Sequence, residues 1–397
     1  VPEYVQLFGT DTAYAVPGLM GAGLWEVARE GLRRLAQVAR AQRGRIPHEI
    51  ALDGTVVHPG NAVETPQFVS ACWEYVRWTA DRAFLQEVYP VCRRGISHLL
   101  EKCDEDGDLY PEGEGMVERP GLGPEKLDVV CYLQKALVDL AEMAEALGRG
   151  PKEVAEPRQW AAKLRRRFPR DWWLEEEALF ADSLDAANTP KLAGHWTVAV
   201  PLEVELVDGG RGQRMLHRIR HDWVNCWGLV HTRGIDERVW TLPTGVLALA
   251  EFRYGSVERG LQLLQSVGET LQRGMLGAYS ELIPEGGDLM QLWSGAMMIR
   301  GLLEGLWGLR PRADRDLVEL APKLPSGWEF MALRDLRLGC HILTLTLRGG
   351  ELTLHHKRKT GDGDRALVIQ LPSRDIVLSP GEYVRVSLAR GRRSMIH

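Results

Sequence analysis

From about Asp11 to Arg310, apolar residues recur every three or four positions with Arg, Glu and Gln between them, the period of amphipathic helices. Leu24 to Ala41 (LWEVAREGLRRLAQVARA) shows it most clearly, and similar patterns run over about 65–79, 82–100, 125–147, 153–168, 195–206, 213–221, 241–254, 257–272 and 290–307. Gly and Pro punctuate the gaps as helix stops do, and strands do not alternate with helices in the manner of a parallel sheet. The pattern predicts roughly eleven helices in about 300 residues. After Arg310-Pro311 the period falls to two. In HILTLTLRGGELTLHHKRK, Leu343, Leu345 and Leu347 alternate with Ile342, Thr344 and Thr346, and Arg348-Gly349-Gly350-Glu351 makes a hairpin turn. ALVIQL and YVRVSLA add two more strands. The reading is a mainly α body, residues 1–310, followed by a small C-terminal antiparallel β-domain, 311–397.

Composition narrows the function classes. The 397 residues carry a formal net charge of -5, which gives no electrostatic footprint for nucleic acid or an anionic membrane. No run of apolar residues is long enough for a transmembrane helix. Six scattered cysteines without a CxxC pair argue against a zinc ribbon and read as buried thiols, which favours a reducing cytoplasm. The chain opens on Val1-Pro2 and enters a rich motif by Phe8, so a preceding segment is expected. Trp, at 13, outnumbers Phe, at 7, and indoles fill cores or stack on sugar faces.

Four connections between helices concentrate carboxylates, aromatics and glycine. The first is Phe8-Gly9-Thr10-Asp11-Thr12. The second is Gly44 to Glu49, followed by Asn61 to Pro66. The third runs from Asp106 to Gly121 (DGDLYPEGEGMVERPG). The fourth is Tyr279 to Glu285, leading into Gln291-Leu292-Trp293-Ser294. Helical hairpins set in a ring gather such connections at one mouth, where functional loops belong.

The order FGTDT, GRIPHE, NAVETPQF, GMVERPG…LDVVCYLQKAL, SELIPE…QLWSGA and GLRP resembles the glucoamylase and glycogen-debranching type of glycoside hydrolase, from Phe8 to about Trp328. The resemblance implies an (α/α)6 toroid, six outer and six inner helices around a funnel, one more than the periodicity supplies. It further implies inverting hydrolysis of α-glucosides or oligosaccharides with release of a terminal sugar. That chemistry needs one protonated acid to donate to the glycosidic oxygen and one carboxylate to activate water on the opposite face. A β-domain preceding the toroid is also expected.

On that resemblance Glu118 is the expected general acid, with Asp128 and Glu114 as rivals. Glu281 is the expected base, matching the Glu of A-E-Q and P-E-L elements, with Glu285 as its rival. Asp11 matches the Asp of an R-D-T element that binds sugar hydroxyls, although Thr10 replaces the Arg. His48 and Glu49 fall in a G-x-IP element, Glu64 takes the place of an Asp in N-x-x-D, and Gln291 and Trp293 match Q-A-W-S. Asp128, Trp196, Trp227 and Trp240 complete the expected substrate contacts. A rhamnoside-type hydrolase, a glycosyl phosphorylase and a non-catalytic carbohydrate-binding protein are the alternatives.

No cofactor, metal, nucleic-acid or membrane partner is expected. Asp104-Glu105-Asp106-Gly107-Asp108 is reminiscent of a calcium loop, but an EF-hand frame from Asp104 places Leu109 where Gly is needed and Gly115 where Glu is needed. It reads as an acidic turn ending a helix. His355-His356-Lys357-Arg358-Lys359 reads as a solvated strand face. Nucleotide-binding glycine loops, serine elbows and HExxH are absent.

Overall fold

The computed structural model describes residues 4–117, 119, 121–358 and 365–388. These divide into two compact units, one of residues 1–75 and 82–301, the other of 76–81 and 302–397. The first unit is helical. Its α-helices are α1 (Gly9–Gly21), α2 (Trp25–Ala41), α3 (Glu64–Thr79, its last turn clustering with the second unit), α4 (Arg82–Lys102) and α5 (Leu127–Leu147). They continue with α6 (Pro151–Asp171), α7 (Val200–Glu203), α8 (Gly209–Asp222), α9 (Thr241–Tyr254), α10 (Val257–Glu269) and α11 (Leu292–Arg300).

The helices sort into two layers by burial. In α9 every residue from Thr241 to Phe252 is buried, and α5 and α1 are covered on most sides. By contrast α2 buries Ala28, Leu32, Leu35, Ala36 and Ala39, one stripe at helical spacing, and α6, α8 and α10 do likewise. The covered helices pack in the series α1–α11–α9–α7–α5, and the striped α2, α6 and α10 pack behind α1, α5 and α9. Local chemistry sets their starts. Asp208 and Ser256 cap α8 and α10 by accepting from Arg211 N and Arg259 N, and Pro151 opens α6 where its missing N–H costs nothing.

Three expectations change. Residues 9–12, expected as a connection, form the first turn of α1; this helix is apolar on nearly every side, so no polar stripe betrays it. The expected helix over 195–206 is a 3-10 turn (Trp196–Ala199) followed by the single-turn α7, which stops where Glu205 takes the left-handed φ of 58°. The expected helix over 290–307 is α11 followed by a π-helical turn, Gly301–Leu306.

The second unit holds β1 (Arg310–Arg312), β2 (Leu317–Glu319), β3 (Phe330–Leu338), β4 (His341–Arg348), β5 (Glu351–Lys357), β6 (Leu367–Leu371), β7 (Arg374–Leu378) and β8 (Tyr383–Ser387). They form two four-stranded sheets, ordered β1-β2-β6-β7 and β3-β4-β5-β8. All pairs are antiparallel except β2–β6, which runs parallel from Leu317↔Val368 to Glu319↔Gln370. Leu343, Leu345 and Leu347 of β4 are buried, as the alternation requires, with Leu352 and Leu354 of β5 and Leu367 and Ile369 of β6. His355, His356 and Lys357 lie within β5, opposite Tyr383, Leu343 and Ile342, as a strand face requires, but His356 is buried rather than solvated; Lys359 lies outside the described residues.

One buried polar group ties the covered helices together. Glu203, at the end of α7, is 4% exposed. Its Oε2 accepts from Tyr132 of α5 at 2.6 Å and from Tyr14 of α1 at 3.3 Å, and Arg300 of α11 donates to its Oε1. The two phenols also hydrogen-bond each other, and burial with the Glu203 charge keeps both un-ionised. Glu203→Leu removes the acceptor that the Arg300 guanidinium and the two phenols share. It is expected to destabilise the helical unit by about 3–5 kcal/mol, and Tyr132→Phe by about 1–3 kcal/mol, as measured by urea unfolding.

Candidate active site

A cavity of about 830 Å3 opens in the helical unit, lined by residues from the starts of α1, α3, α9 and α11 and from the segments before α1, α3, α5, α9 and α11. Its geometry begins with short strands. Leu7–Phe8 pairs with Glu49–Ile50, which pairs in turn with Val56–His58, and Gly9 N donates to His48 O at 2.8 Å. This ribbon delivers Phe8 and His48 to the wall, with the imidazole edge-on to the Phe8 and His58 rings. His48 Nδ1 lies 2.8 Å from Glu64 Oε1. Glu64, 1% exposed at the start of α3, also accepts from Asn61 N at 2.7 Å. This hydrogen bond fixes which face the ring shows the cavity.

Asp11 projects from the first turn of α1 and accepts from Gln291 Nε2, at the start of α11, at 3.2 Å. Burial pushes its carboxyl up to about 6, a rise that His48 opposes and the Glu281 charge reinforces. Glu281 is anchored through its backbone: Thr241 N and Oγ1 donate to Glu281 O at 2.9 and 3.0 Å, and Glu281 N donates to Asp288 O at 2.8 Å. Burial raises its pKa, Asp288 N at 3.1 Å from Oε2 and the nearby Arg238 lower it, and the Asp288 charge raises it. Gly287, with φ +62°, lies against this carboxylate; a Cβ there would stand 2.3 Å from Oε2.

The opposite wall is the loop before α5. Gly115, Met116, Val117 and Arg119 line the cavity. Asp128 sits behind them, 3% exposed in the first turn of α5, and Met116 N donates to its Oδ2 at 2.6 Å. A Cβ on Gly115 would fall 2.4 Å from Asp128 Oδ1, so this loop packs as glycine or moves away. Burial raises Asp128 to about 6 against its bond to Met116. Trp196, Trp240 and Trp293 supply indole faces. Trp240 Nε1, Trp293 Nε1 and Gln6 Oε1, on residues that line the cavity, are buried without a hydrogen-bond partner, which marks places where a ligand's hydroxyls complete the count.

Among the expected site residues, Asp11, His48, Glu64, Trp196, Trp240, Glu281, Gln291 and Trp293 meet on this cavity. Asp128 stands behind its wall. Glu49 is held in strand pairing and Trp227 packs under Arg273, both away from it. Glu114 is exposed and pairs with Lys126 at 3.4 Å, and Glu285 is exposed, so neither rival lines the cavity. Glu118 lies outside the described residues. Sequence reasoning passed over Arg119, His231 and Asp236. Arg119 pairs with Asp236, which Arg238 bonds at 2.8 and 2.6 Å and holds well below the usual carboxylate range. His231, tilted over Trp240 at 5.2 Å, is pushed down to about 4 by burial and is neutral at neutral pH. The polar stretch VHTRGIDERVW was the available signal, of which only Trp240 was taken. Two described groups of side chains converge closely enough for a metal, Asp104–Asp106–Asp108 and Asp316–Cys340–His341, and neither lines the cavity.

Helical hairpins around a carboxylate- and indole-lined cavity define a six-hairpin glycosidase domain. Residues 22–277 match the bacterial α-L-rhamnosidase six-hairpin glycosidase domain, and the chain belongs to that family. The fold is similar to that of a GH78 family rhamnosidase of Bacillus sp. GL1, with a TM-score of 0.68 and 15% identity over 92% of this chain. The chain spans 39% of that rhamnosidase's length. It is also similar to the GH63 mannosylglycerate hydrolase of Thermus thermophilus, with a TM-score of 0.61 and 15% identity over 75% of this chain and 93% of that one. At these identities the likeness is one of fold alone. No curated protein matches the chain in sequence.

Two outcomes test this geometry. Gly287→Ala forces the Glu281 carboxylate aside and is expected to lower turnover about 10²-fold while the fold survives, read by kinetics beside circular dichroism. The carboxyl of Asp128 prefers its proton in the folded state. Its contribution to stability is therefore complete below about pH 4 and lost as the pH rises through about 6. Urea unfolding from pH 4 to 7 should show that decline flattened in Asp128→Asn.

Proposed function

We propose that the chain is an inverting, exo-acting glycoside hydrolase that removes a terminal sugar. The observation that carries this reading is one cavity, about 830 Å3, shared by Asp11, the His48–Glu64 pair, Glu281 and three unpartnered polar atoms. The volume lies in the range of small-ligand sites, roughly 300–1,000 Å3, and suits the end of a glycoside rather than the length of a polymer. Glu281 is the base that activates water: burial raises its pKa, which strengthens it as a base, and the Asp288 amide and Arg238 oppose that rise. Glu118 is the acid, supported by its neighbours Val117 and Arg119 on the facing wall. Asp128 anchors that loop through Met116 N, while Asp11 with Gln291 and His48 with Glu64 offer paired donors and acceptors to vicinal hydroxyls.

α-L-Rhamnosides are the first substrate class, because the family domain matched over residues 22–277 is of that type. The apolar wall portions Leu7, Val117, Leu242 and Pro243 offer the contact that a methyl-bearing deoxyhexose needs. α-Glucosides are the second, favoured by Asp11 and Gln291, which meet in the structure as the D-T and Q-x-W-S elements of the glucosidase pattern.

Proton NMR of the products from a panel of aryl glycosides reports sugar and anomer together. Release of a single sugar with inverted configuration is expected; retention overturns the water mechanism. Glu118→Gln and Glu281→Gln are each expected to lose about 10²–10⁴-fold in turnover with the fold intact, and full activity in either removes that assignment.

A further inference from the structure

The β unit contains a line of buried polar groups that the glycosidase reading does not use. His356 on β5 and His341 at the start of β4 are each 2% exposed. His356 Nδ1 lies 3.1 Å from Leu378 O on β7, His356 Nε2 lies 3.1 Å from His341 Nδ1, and His341 Nε2 lies 3.0 Å from Asp316 Oδ1. Cys340, a free thiol in the turn between β3 and β4, holds its Sγ 3.7 Å from the same His341 Nε2.

The carbonyl at one end sets the direction of every bond. Leu378 O only accepts, so His356 Nδ1 carries the proton and donates. In neutral His356 the other nitrogen, Nε2, is then an acceptor, and His341 Nδ1 donates to it. In neutral His341 that leaves Nε2 as a bare lone pair, and it faces a carboxylate oxygen and a sulfur. Three electron-pair donors, all within 4.8 Å of one another, converge on one point. A proton on Nε2 satisfies Asp316 alone, and the Cys340 S–H can serve only one acceptor at a time, whereas a metal takes all three.

The spacing lies near that of a metal site. With Zn–N and Zn–O of about 2.0–2.2 Å and Zn–S of about 2.3 Å, tetrahedral ligand atoms stand roughly 3.3–3.6 Å apart; the observed 3.0 and 3.7 Å fall on either side of that range, and the third separation is within 4.8 Å. The surrounding shell is of the kind metal sites have: His356 fixes the tautomer and orientation of His341, and Arg365 pairs with Asp316 Oδ2, turning Oδ1 inward. Asp316 and Cys340 are partly exposed, which gives an ion a route in.

We propose that Asp316, Cys340 and His341 form a transition-metal site of the zinc class, with His356 as its positioning residue and the fourth coordination position left to solvent. Asp316 ends the turn between β1 and β2, and the histidines belong to the other sheet. The metal therefore cross-links the two sheets of the β unit.

The test uses the full chain with any affinity tag removed, stripped by a chelator and titrated with zinc against a chromogenic competitor. One ion per chain is expected, with a raised unfolding midpoint. Replacement by cobalt should give a thiolate-to-metal charge-transfer band that Cys340→Ser abolishes. His356→Gln should weaken zinc binding about 10–100-fold without changing glycosidase turnover. Circular dichroism establishes that each variant is folded. A folded wild-type chain that takes up no zinc, or uptake undiminished in Cys340→Ser and Asp316→Asn, overturns the proposal.

Discussion

A single buried carboxylate organises the helical unit. Glu203 comes from the one-turn α7, too short to hold a place by its own backbone bonds, yet it meets α1, α5 and α11 through Tyr14, Tyr132 and Arg300. Tyr14 lies one turn beyond Asp11 on α1, and Tyr132 one turn beyond Asp128 on α5. The hub therefore fixes the azimuth of the two helices whose first turns furnish the cavity and its supporting wall. No hub residue lines the cavity, so the hub bears on the site only through the placement of those helices.

Around this hub the cavity divides its labour between side chains set by helices and side chains set by loops. Asp11 and Trp293 ride on first turns, where the backbone is stiff. His48 and Glu281 ride on short ribbons, and each is secured by backbone bonds to a neighbouring helix start, Gly9 and Thr241 respectively. A polyol needs donors and acceptors at fixed separations, and bonds of this kind supply them.

Amphipathic elements were legible from sequence because a stripe is a local signal. α2, α4 and α6 differ from expectation only at their ends, and the covered α5 and α9 were found as well, because their apolar runs are of helical length. The covered first turn of α1 was not. In α1 the residues Gly9, Thr10 and Thr12 are buried against the rest of the fold, so polarity in its first turn mimicked a loop. The site followed the same rule. Asp11, Glu281 and Gln291 stand in motifs and were found. Arg119, His231 and Asp236 owe their place to a pairing between residues 117 positions apart, which no local window contains. The parallel β2–β6 pair was hidden for the same reason.

The anchoring of Glu281 has an evolutionary reach. Its carbonyl is bound by Thr241 and its N–H by Asp288, so the residues between Leu282 and Gly287 form a closed excursion whose two ends are tied independently of what it contains. Exchanges at Pro284 or Glu285, on the outer part of that excursion and off the cavity, can alter the surface beside it while the Glu281 backbone stays tied at both ends. In such a framework the appetite for different leaving groups drifts faster than the reaction itself, and a family sharing this scaffold should diversify in what it accepts long before it changes what it does.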